Sequence, residues 1–382
     1  MTVDRTLSLI RDISARFAGE RAERQRRRAL DPADFAAIAD AGFLGTGLPE
    51  AEGGYWKDSV TSIRPACEML RILAQGDPSV ALVCAMHPTV LSVWLPHADA
   101  APEFRDAWRA QRRMIFDSVK NGCWWGTITS EPGSGGDMLK TRAVAAPAEN
   151  GRYRVTGDKH FGSGSGILSF AITMARPEGE DSPDVFVLDL RGVPWDGSTG
   201  MKLAAEWDGH GMPATQSHAF RFDGFPAMRK AWPGNFQIIS PAVAIYCSAA
   251  FSAVIVGIVE TAVDTARALL LAKRSTLRAY EQVEWSRVET EGWLVRQAYE
   301  GILRDIESGD GLKAFGTGLL GKTAIAELSE TLMLRLCKII GGATFARGSP
   351  FGHWAEDVRA LGFLRPPWGL AYDNIFSISL PP

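Results

Sequence analysis

The sequence predicts an α+β protein in which helices come first, strands follow and long helices end the chain. Apolar residues recur at helical spacing early in the sequence, short alternating runs bounded by Gly and Pro come next, and long apolar segments return afterwards. This order predicts an N-terminal α-helical domain over residues 1–120, a middle β-barrel or sandwich domain over 121–230 and a C-terminal four-helix-bundle domain over 231–382. A chain of 382 residues is long enough to bury the core that these parts need.

Helical spacing and a capping signal define the N-terminal part. An apolar residue recurs every three or four positions from Leu7 to Phe17, which predicts an amphipathic helix. A further helix is expected to begin at Asp31-Pro32, because an aspartate side chain caps the first backbone N–H groups and proline suits the first turn. Gly42 is expected to end that helix.

Short strands define the middle part. Apolar and β-branched residues form short alternating runs at 153–156, 171–174 and 185–188, and Gly, Pro or Asp residues separate these runs. Several short strands joined by such turns are typical of a small barrel or sandwich.

Long helices are predicted for the C-terminal part, over residues 242–271, 285–308 and 319–340. The most apolar stretch, 242–259, contains Tyr246 and two serines and is followed by Glu260, which favours a buried helix over a membrane span. The first and last of these helices carry apolar residues around most of their circumference, so each is expected to be buried on several sides.

The net charge and the cysteine content indicate which binding partners and which cellular compartment to expect. The net charge of −3 favours neither nucleic acid nor an anionic membrane surface as a partner. The five cysteines are scattered and form no C-x-x-C pair, which favours reduced thiols in a cytoplasmic protein and argues against a disulfide framework or a metal site. The N-terminus lacks the charged and apolar regions of a signal peptide.

Two polar segments of the middle part carry the strongest functional signal. Residues 128–137 read Ile-Thr-Ser-Glu-Pro-Gly-Ser-Gly-Gly-Asp, and residues 157–164 read Gly-Asp-Lys-His-Phe-Gly-Ser-Gly. A hydroxyl pair before a Pro/Gly turn suits a ligand rich in oxygen, since such a turn can point backbone N–H groups outward. An aromatic ring beside further hydroxyls suits a flat heteroaromatic cofactor. The alternative is a turn between strands with no ligand.

These segments resemble the flavin-binding middle domain of the acyl-CoA dehydrogenase superfamily, whose order of helices, β domain and helices also matches almost the whole chain. The resemblance implies a flavin, FAD or FMN, held against the β domain. Thr127, Thr129 and Ser130 would line the edge of the flavin ring, and Phe161 and Ser163 would lie beside the ring.

The resemblance also assigns residues to the rest of the cofactor. Gly135 and Gly136 fall where the family has a Gly-Ser pair near the pyrophosphate, so one hydroxyl is missing. In the C-terminal part, the family's Arg-x-x-Phe-Gly and Gln-Ile-x-Gly-Gly motifs bind FAD. Their counterparts here are Arg274, without the Phe-Gly, and the segment Lys338-Ile-Ile-Gly341-Gly342, with Lys for Gln. These changes make FMN an alternative to FAD, and Gly341-Gly342 alone would also serve as a helix C-cap.

The C-terminal segment lacks the base of the family's dehydrogenases. Those enzymes place a carboxylate in a Tyr-Glu-Gly-Thr motif, whereas residues 362–369 here read Gly-Phe-Leu-Arg-Pro-Pro-Trp-Gly, so that Arg365 or a neighbour falls in its place. The family's other base position falls near Cys247. A guanidinium stays protonated at neutral pH, so Arg365 would bind an anion rather than abstract a proton.

The same segment resembles the flavin-dependent monooxygenase branch, such as dibenzothiophene and hydroxyphenylacetate monooxygenases. The residues from His353-Trp354 to Arg365-Pro366 match the C-terminal sequence pattern of that branch, except that Leu364 stands where the branch has a histidine. Residues 207–217 match the branch's Trp-Asp-x-x-Gly-Met strand motif. A histidine on the helix that here contains His87 faces the flavin in that branch. His87, Ser163 and Arg365 are therefore the predicted catalytic residues, and the alternative for His87 is a buried core residue.

The predicted function is a flavin-dependent oxidoreductase that uses reduced flavin and oxygen to oxygenate a small organic substrate, with a flavin reductase or electron-transfer protein as partner. One alternative is an acyl-CoA or acyl-carrier dehydrogenase with a displaced base, and another is a flavin-binding protein without turnover. Because the family's C-terminal helices pack across subunits, the resemblance implies a homo-oligomer, a tetramer built as a dimer of dimers.

Overall fold

The computed structural model describes residues 1–97 and 99–381. The α-helices that precede the first strand are α1 (Val3–Gly19), α2 (Arg21–Arg24), α3 (Pro32–Asp40), α4 (Ser59–Gly76), α5 (Pro78–Leu91) and α6 (Arg105–Lys120). The predicted cap of α3 is confirmed, because the Asp31 side chain accepts from Ala33 N at 2.9 Å and Pro32 is the first helical residue. Gly42 follows this helix with a φ of +95°, a conformation that favours glycine.

The middle part is a β-sheet that closes on itself. Its strands are β1 (Trp125–Thr127), β2 (Val144–Pro147), β3 (Tyr153–Gly162), β4 (Phe170–Pro177), β5 (Asp184–Asp189), β6 (Met201–Ala205) and β7 (His218–Arg229). Strands β4, β2, β3, β7 and β5 pair in that order, and β5 pairs again with β4, so the ring is complete. Strand β1 extends the sheet beside β4, and β6 pairs with β7. Closure leaves the ring without open edges, which is how a small barrel avoids unpaired backbone groups.

The C-terminal helices are α7 (Phe236–Ala272), α8 (Ala279–Glu307), α9 (Gly311–Ile340), α10 (Pro350–Val358), α11 (Ala360–Phe363) and α12 (Trp368–Ser379). The three long helices all begin earlier than predicted. Capping explains two of the differences: Asp310 accepts from Lys313 N at 3.0 Å, and Glu281 accepts from Arg278 N at 2.7 Å. The predicted α+β fold, with helices on either side of a β-barrel in the sequence, is confirmed.

Helix α7 is the one element of the described residues that is long and apolar enough to cross a membrane. Its most apolar window is 72% buried inside the structure. It packs against α4 and α5 as well as α8 and α9, so its apolar surface is covered by protein on several sides. This burial agrees with the predicted core helix.

Candidate active site

A cavity of about 1020 Å³ lies between the barrel, α5, α7 and the C-terminal segment. Its barrel side is formed by the ends of β1 and β3 with the loops that follow them, so that both polar segments of the sequence meet at one wall. Residues of α5 and α7 form an apolar wall, and residues 363–370 also line the cavity. Hydroxyl groups therefore meet an apolar surface, a common arrangement in cofactor and small-molecule sites.

The hydroxyl edge of the cavity is formed by Thr127, Thr129 and Ser130. Thr127 Oγ1 donates to Thr129 Oγ1 at 3.1 Å. Arg365 Nη2 donates to Thr129 Oγ1 at 3.0 Å and to Ser130 Oγ at 3.3 Å, and Nη1 donates to the carbonyl of Gly136. A cation of the C-terminal segment is thus fixed to the segment 129–136.

A second group of hydroxyls lies at the end of β3. Ser163 Oγ and Ser217 Oγ are 2.8 Å apart, and Thr215 Oγ1 lies 2.8 Å from the same Ser217 Oγ. Beside them, the Phe161 ring is 57% exposed and meets the Trp207 ring edge-on, with the ring centroids 6.0 Å apart. The φ of +56° at Phe161 turns the backbone as β3 ends.

The loop that carries Thr129 and Ser130 is anchored by a buried ion pair. Glu131 Oε1 lies 2.5 Å from Lys159 Nζ, and the two side chains are 4% and 0% exposed. Glu131 also accepts from Arg142 N at 2.6 Å, and Lys159 also donates to Met174 O at 2.6 Å. Burial alone would raise the pKa of Glu131, but the hydrogen bonds from Lys159 and its other donors hold that pKa below its usual value.

Lys322 of α9 positions the segment that contains Arg365. Its buried ammonium donates to Leu361 O at 2.7 Å and to Pro366 O at 2.9 Å, on either side of Arg365. Burial lowers the pKa of Lys322 to about 8 and that of Arg365 to about 10, so Arg365 stays charged at neutral pH. Because Lys322 is anchored in a long helix, the cation is held at a defined place in the cavity.

Close packing accounts for the glycine at position 136. Its φ is +81°, and a Cβ atom there would lie 2.6 Å from Pro367 Cγ. A serine at this position would collide with the C-terminal segment that brings Arg365 to the barrel. The glycine therefore allows the C-terminal segment that carries Arg365 to pack against the barrel.

The family described as "Acyl-CoA dehydrogenase, middle domain" matches residues 126–225, which include the barrel and both polar segments. This part of the chain is therefore similar to the middle domain of the acyl-CoA dehydrogenase superfamily. The resemblance that the two segments predicted is confirmed.

Relatives in this superfamily include oxygenating enzymes. Dibenzothiophene monooxygenase of Mycolicibacterium goodii is 24% identical over 287 residues, which cover 68% of this chain but only 61% of that protein. Amino sugar nitrososynthase DnmZ of Streptomyces peucetius is 25% identical over 386 residues, covering 95% of this chain and 89% of that protein. The predicted resemblance to the monooxygenase branch is supported by the first of these relatives.

A solved structure confirms the fold over nearly the whole chain. KijD3 in complex with FMN and dTDP-3-amino-2,3,6-trideoxy-4-keto-3-methyl-D-glucose matches with a TM-score of 0.82 at 20% identity. The match covers 99% of this chain and 93% of KijD3.

His87 does not lie where the superfamily resemblance predicted. The side chain is fully buried, and His87 is not among the residues that line the cavity. Its Nδ1 accepts from Trp125 N at 3.3 Å, which places the proton on Nε2, 3.4 Å from Leu44 O. Burial lowers its pKa to about 3, so the ring is neutral. This arrangement corresponds to the alternative of a buried core residue.

The residues that the resemblance assigned to FAD binding in the C-terminal part also lie away from the cavity. Arg274 follows the end of α7, and Gly341 and Gly342 follow the end of α9, where Gly341 has a φ of +91°. Lys338 Nζ donates to Glu284 Oε1 at 3.3 Å. The described cavity therefore omits these four residues and brings together the other predicted cofactor residues and Arg365, namely Thr127, Thr129, Ser130, Gly135, Gly136, Phe161, Ser163 and Arg365.

Three carboxylates line the cavity among the described residues, and each has a partner. Glu131 pairs with Lys159, Asp137 accepts from Leu139 N at 2.9 Å, and Glu356 pairs with Arg359 at 2.5 Å. Each carboxylate of the cavity therefore already has a hydrogen-bond or ion-pair partner, and the cavity presents a cation at the hydroxyl edge.

Several residues of the site were not predicted as site residues. Lys159 could have been found, because it shares the inward face of β3 with Val155, four residues earlier, and a lysine at such a position needs a buried partner. Thr215 and Ser217 belong to a motif that the sequence showed, but only the barrel brings them to Ser163. Lys322 bonds residues 39 and 44 positions away, a distance that periodicity does not reveal.

Proposed function

We propose that this chain is a flavin-dependent oxidoreductase that uses reduced FMN and oxygen to oxygenate a small organic substrate. The observation that supports this most is the place of Arg365. A guanidinium contacts the hydroxyl edge where dehydrogenases of this superfamily need a carboxylate, and the carboxylates that line the cavity are all engaged.

The residues present suit a flavin. Thr127, Thr129 and Ser130 offer hydroxyl groups to the polar edge of the ring, and the half-exposed Phe161 ring offers an aromatic surface beside it. The cavity volume of about 1020 Å³ is at the upper end of the range for ligand sites, which leaves room for a substrate beside the cofactor. FMN is favoured over FAD because Lys338 is engaged with Glu284 and the Arg-x-x-Phe-Gly motif is incomplete.

Reduced flavin supplies two electrons, so that one oxygen atom enters the substrate and the other leaves as water. Arg365 would hold negative charge of the reduced flavin at the hydroxyl edge, and the hydroxyl groups of Ser163, Ser217 and Thr215, which contact one another, would donate to the bound molecules. The apolar side chains of α5 and α7 exclude water from the substrate. A separate flavin reductase is the proposed source of reduced FMN, and the dispersed free cysteines support a cytoplasmic location.

The test compares two reactions of the FMN-loaded protein. We expect butyryl-CoA and octanoyl-CoA to leave the yellow absorbance of bound FMN unchanged without oxygen, because the site lacks a free base. Oxygen should reoxidise the reduced protein through a transient absorbance that free FMN lacks. Bleaching by an acyl-CoA would instead establish the dehydrogenase alternative.

The control for this experiment is a Phe161→Ala/Ser163→Ala variant. It should fold, since Phe161 is half exposed and Ser163 lies at the cavity, but it should bind FMN more weakly and lose the transient. A wild-type protein that fails to bind FMN or FAD at all would leave only the interpretation of a protein without turnover.

We also propose a homotetramer, because large apolar side chains remain exposed on the C-terminal helices. Trp293 of α8 is 52% exposed, Leu334 of α9 is 69% exposed and Phe376 of α12 is 63% exposed. Burying these side chains against other subunits would remove apolar area from water. Light scattering at micromolar concentration should therefore give the mass of four chains, and a stable monomer would contradict the proposal. A Leu334→Glu variant should shift the mass towards smaller species, whereas a change at the exposed Lys202 should not.

A further inference from the structure

The cavity extends along the barrel wall to a buried lysine. Thr127 pairs with Ile172, Met174 pairs with Val185, and Lys230 N donates to Val185 O at 2.9 Å, so these lining residues follow one another across the sheet. Neighbouring strands are about 4.8 Å apart, so Lys230 lies three strand spacings from Thr127 along this curved wall. Lys230 thus lies at the opposite end of this wall from the hydroxyl edge.

Lys230 is a cation in apolar surroundings. The residue is 1% exposed, and Ile172, Met174 and Val185 form the wall that leads to it. The first turn of α7, which begins six residues further along the chain, adds Phe236 and Ile239 to the cavity lining. An ammonium group here needs oxygen acceptors, because leaving its N–H groups unsatisfied in the interior is costly.

Asp184 does not supply all of those acceptors. Its Oδ1 lies 3.1 Å from Lys230 Nζ, yet the same oxygen accepts from Val185 N at 2.8 Å. Its Oδ2 accepts from Arg229 Nε at 2.9 Å and from Gly234 N at 3.2 Å. The carboxylate is therefore shared with other donors, and Lys230 Nζ keeps an ion pair with it but makes no further contact of hydrogen-bond geometry to the residues that the structure describes.

A second buried polar group lies next to this cluster. Asn235, adjacent in the chain to Gly234, is 2% exposed, and neither atom of its amide has a hydrogen-bond partner in the described part of the chain. The charges of the cluster are those of Arg229, Lys230 and Asp184, together with Glu180, which pairs with Arg229 at the surface and is 46% exposed. Lys230 and Arg229 share the buried carboxylate of Asp184, and Glu180 is a second partner for Arg229 alone.

We propose that Lys230 forms a subsite for an oxyanion, a carboxylate, at the far end of a substrate whose middle is apolar. The inference deepens the proposed function, since it assumes that the other end of that substrate lies at the flavin. A carboxylate would accept from the ammonium of Lys230, and the apolar wall would contact the rest of the molecule. The competing interpretation is that Lys230 only balances the charge of Asp184.

The subsite is tested with octanoate and octan-1-ol, which share an apolar chain and differ in the charged end. Calorimetric titration of the wild-type protein, with and without oxidised FMN, should show octanoate binding at least about tenfold more tightly, as a charged hydrogen bond provides. Lys230→Met should remove this preference, and Lys202→Met, at an exposed position, should retain it. Equal binding of the two compounds by the wild type would overturn the proposal.

A double variant, Asp184→Asn/Lys230→Met, is the control for a loss of stability in Lys230→Met, because it removes both members of the buried ion pair. It should unfold at a temperature between those of Lys230→Met and the wild type, because Arg229 also loses its ion pair with Asp184, and it should still lack the preference for octanoate. If either variant loses stability yet keeps that preference, Lys230 only balances Asp184 and the subsite is disproved. If the protein binds no flavin but still prefers octanoate, the subsite is supported and only the proposed flavin function is contradicted.

Discussion

Replacing Lys159 with methionine is expected to lower the free energy of unfolding by about 3–5 kcal/mol, the usual cost of leaving one member of a buried ion pair without its partner. The Lys159 side chain is fully buried and that of Glu131 is 4% exposed, so water cannot replace the lost contact. Chemical denaturation followed by tryptophan fluorescence measures the change. The same variant should bind FMN less tightly, since Glu131 follows Thr129 and Ser130 directly in the chain.

The matched control removes both charges. Glu131→Gln/Lys159→Met leaves no unpaired charge, and the amide oxygen at position 131 can still accept from Arg142 N. We expect this double variant to recover most of the stability that the single variant loses. Equal losses in the two variants would mean that packing, and not the ion pair, stabilises this loop.

The pair also predicts a dependence of stability on pH. The pKa of Glu131 is held below its usual value in the folded protein by its hydrogen bonds, despite burial. The carboxylate therefore stabilises the fold above the ordinary glutamate pKa of about 4.3, and this contribution is lost as the pH falls through the lowered value. The Glu131→Gln/Lys159→Met variant should lack this part of the acid transition.

The order of elements and one wall of the site could be predicted because local signals determine them. Alternation and turns defined the strands, and β1 and β3 place their ends at the same cavity, so Thr129, Ser130, Phe161 and Ser163 meet as expected. Asp31 capped its helix through a contact two residues away. These features depend on neighbouring residues in the chain or on the closure of one barrel.

Features that depend on packing between distant segments were beyond prediction. Helix α5 is buried around its whole circumference, so its sequence has no polar face to show which residues line the cavity. Met86 and Thr89 do so, while His87 contacts Leu44 and Trp125. The partners of Lys322 likewise depend on how the C-terminal segment folds back on α9.

Replacing Arg365 with alanine is expected to make the midpoint potential of bound FMN more negative by about 30–60 mV. The guanidinium contacts the hydroxyl edge at Thr129 and Ser130, where the reduced flavin ring would carry its negative charge. Losing a charged hydrogen bond of about 1.5–3 kcal/mol from the reduced form alone corresponds to that shift for a two-electron couple. Redox titration of the FMN-loaded variant measures it without knowledge of the substrate.

Three further variants separate charge from packing. Arg365→Lys keeps the charge but cannot reach Gly136 O, Thr129 and Ser130 together, so it should shift the potential by less than alanine does. Lys322→Met removes the hydrogen bonds to Leu361 O and Pro366 O and should produce a smaller shift in the same direction, because Arg365 keeps its charge and loses its fixed position. Arg359→Ala removes a cation that pairs with Glu356 and is half exposed, so the potential should hardly change. An unchanged potential in Arg365→Ala would show that Arg365 only ties the C-terminal segment to the barrel, and the proposal that it holds the charge of the reduced flavin would then fail.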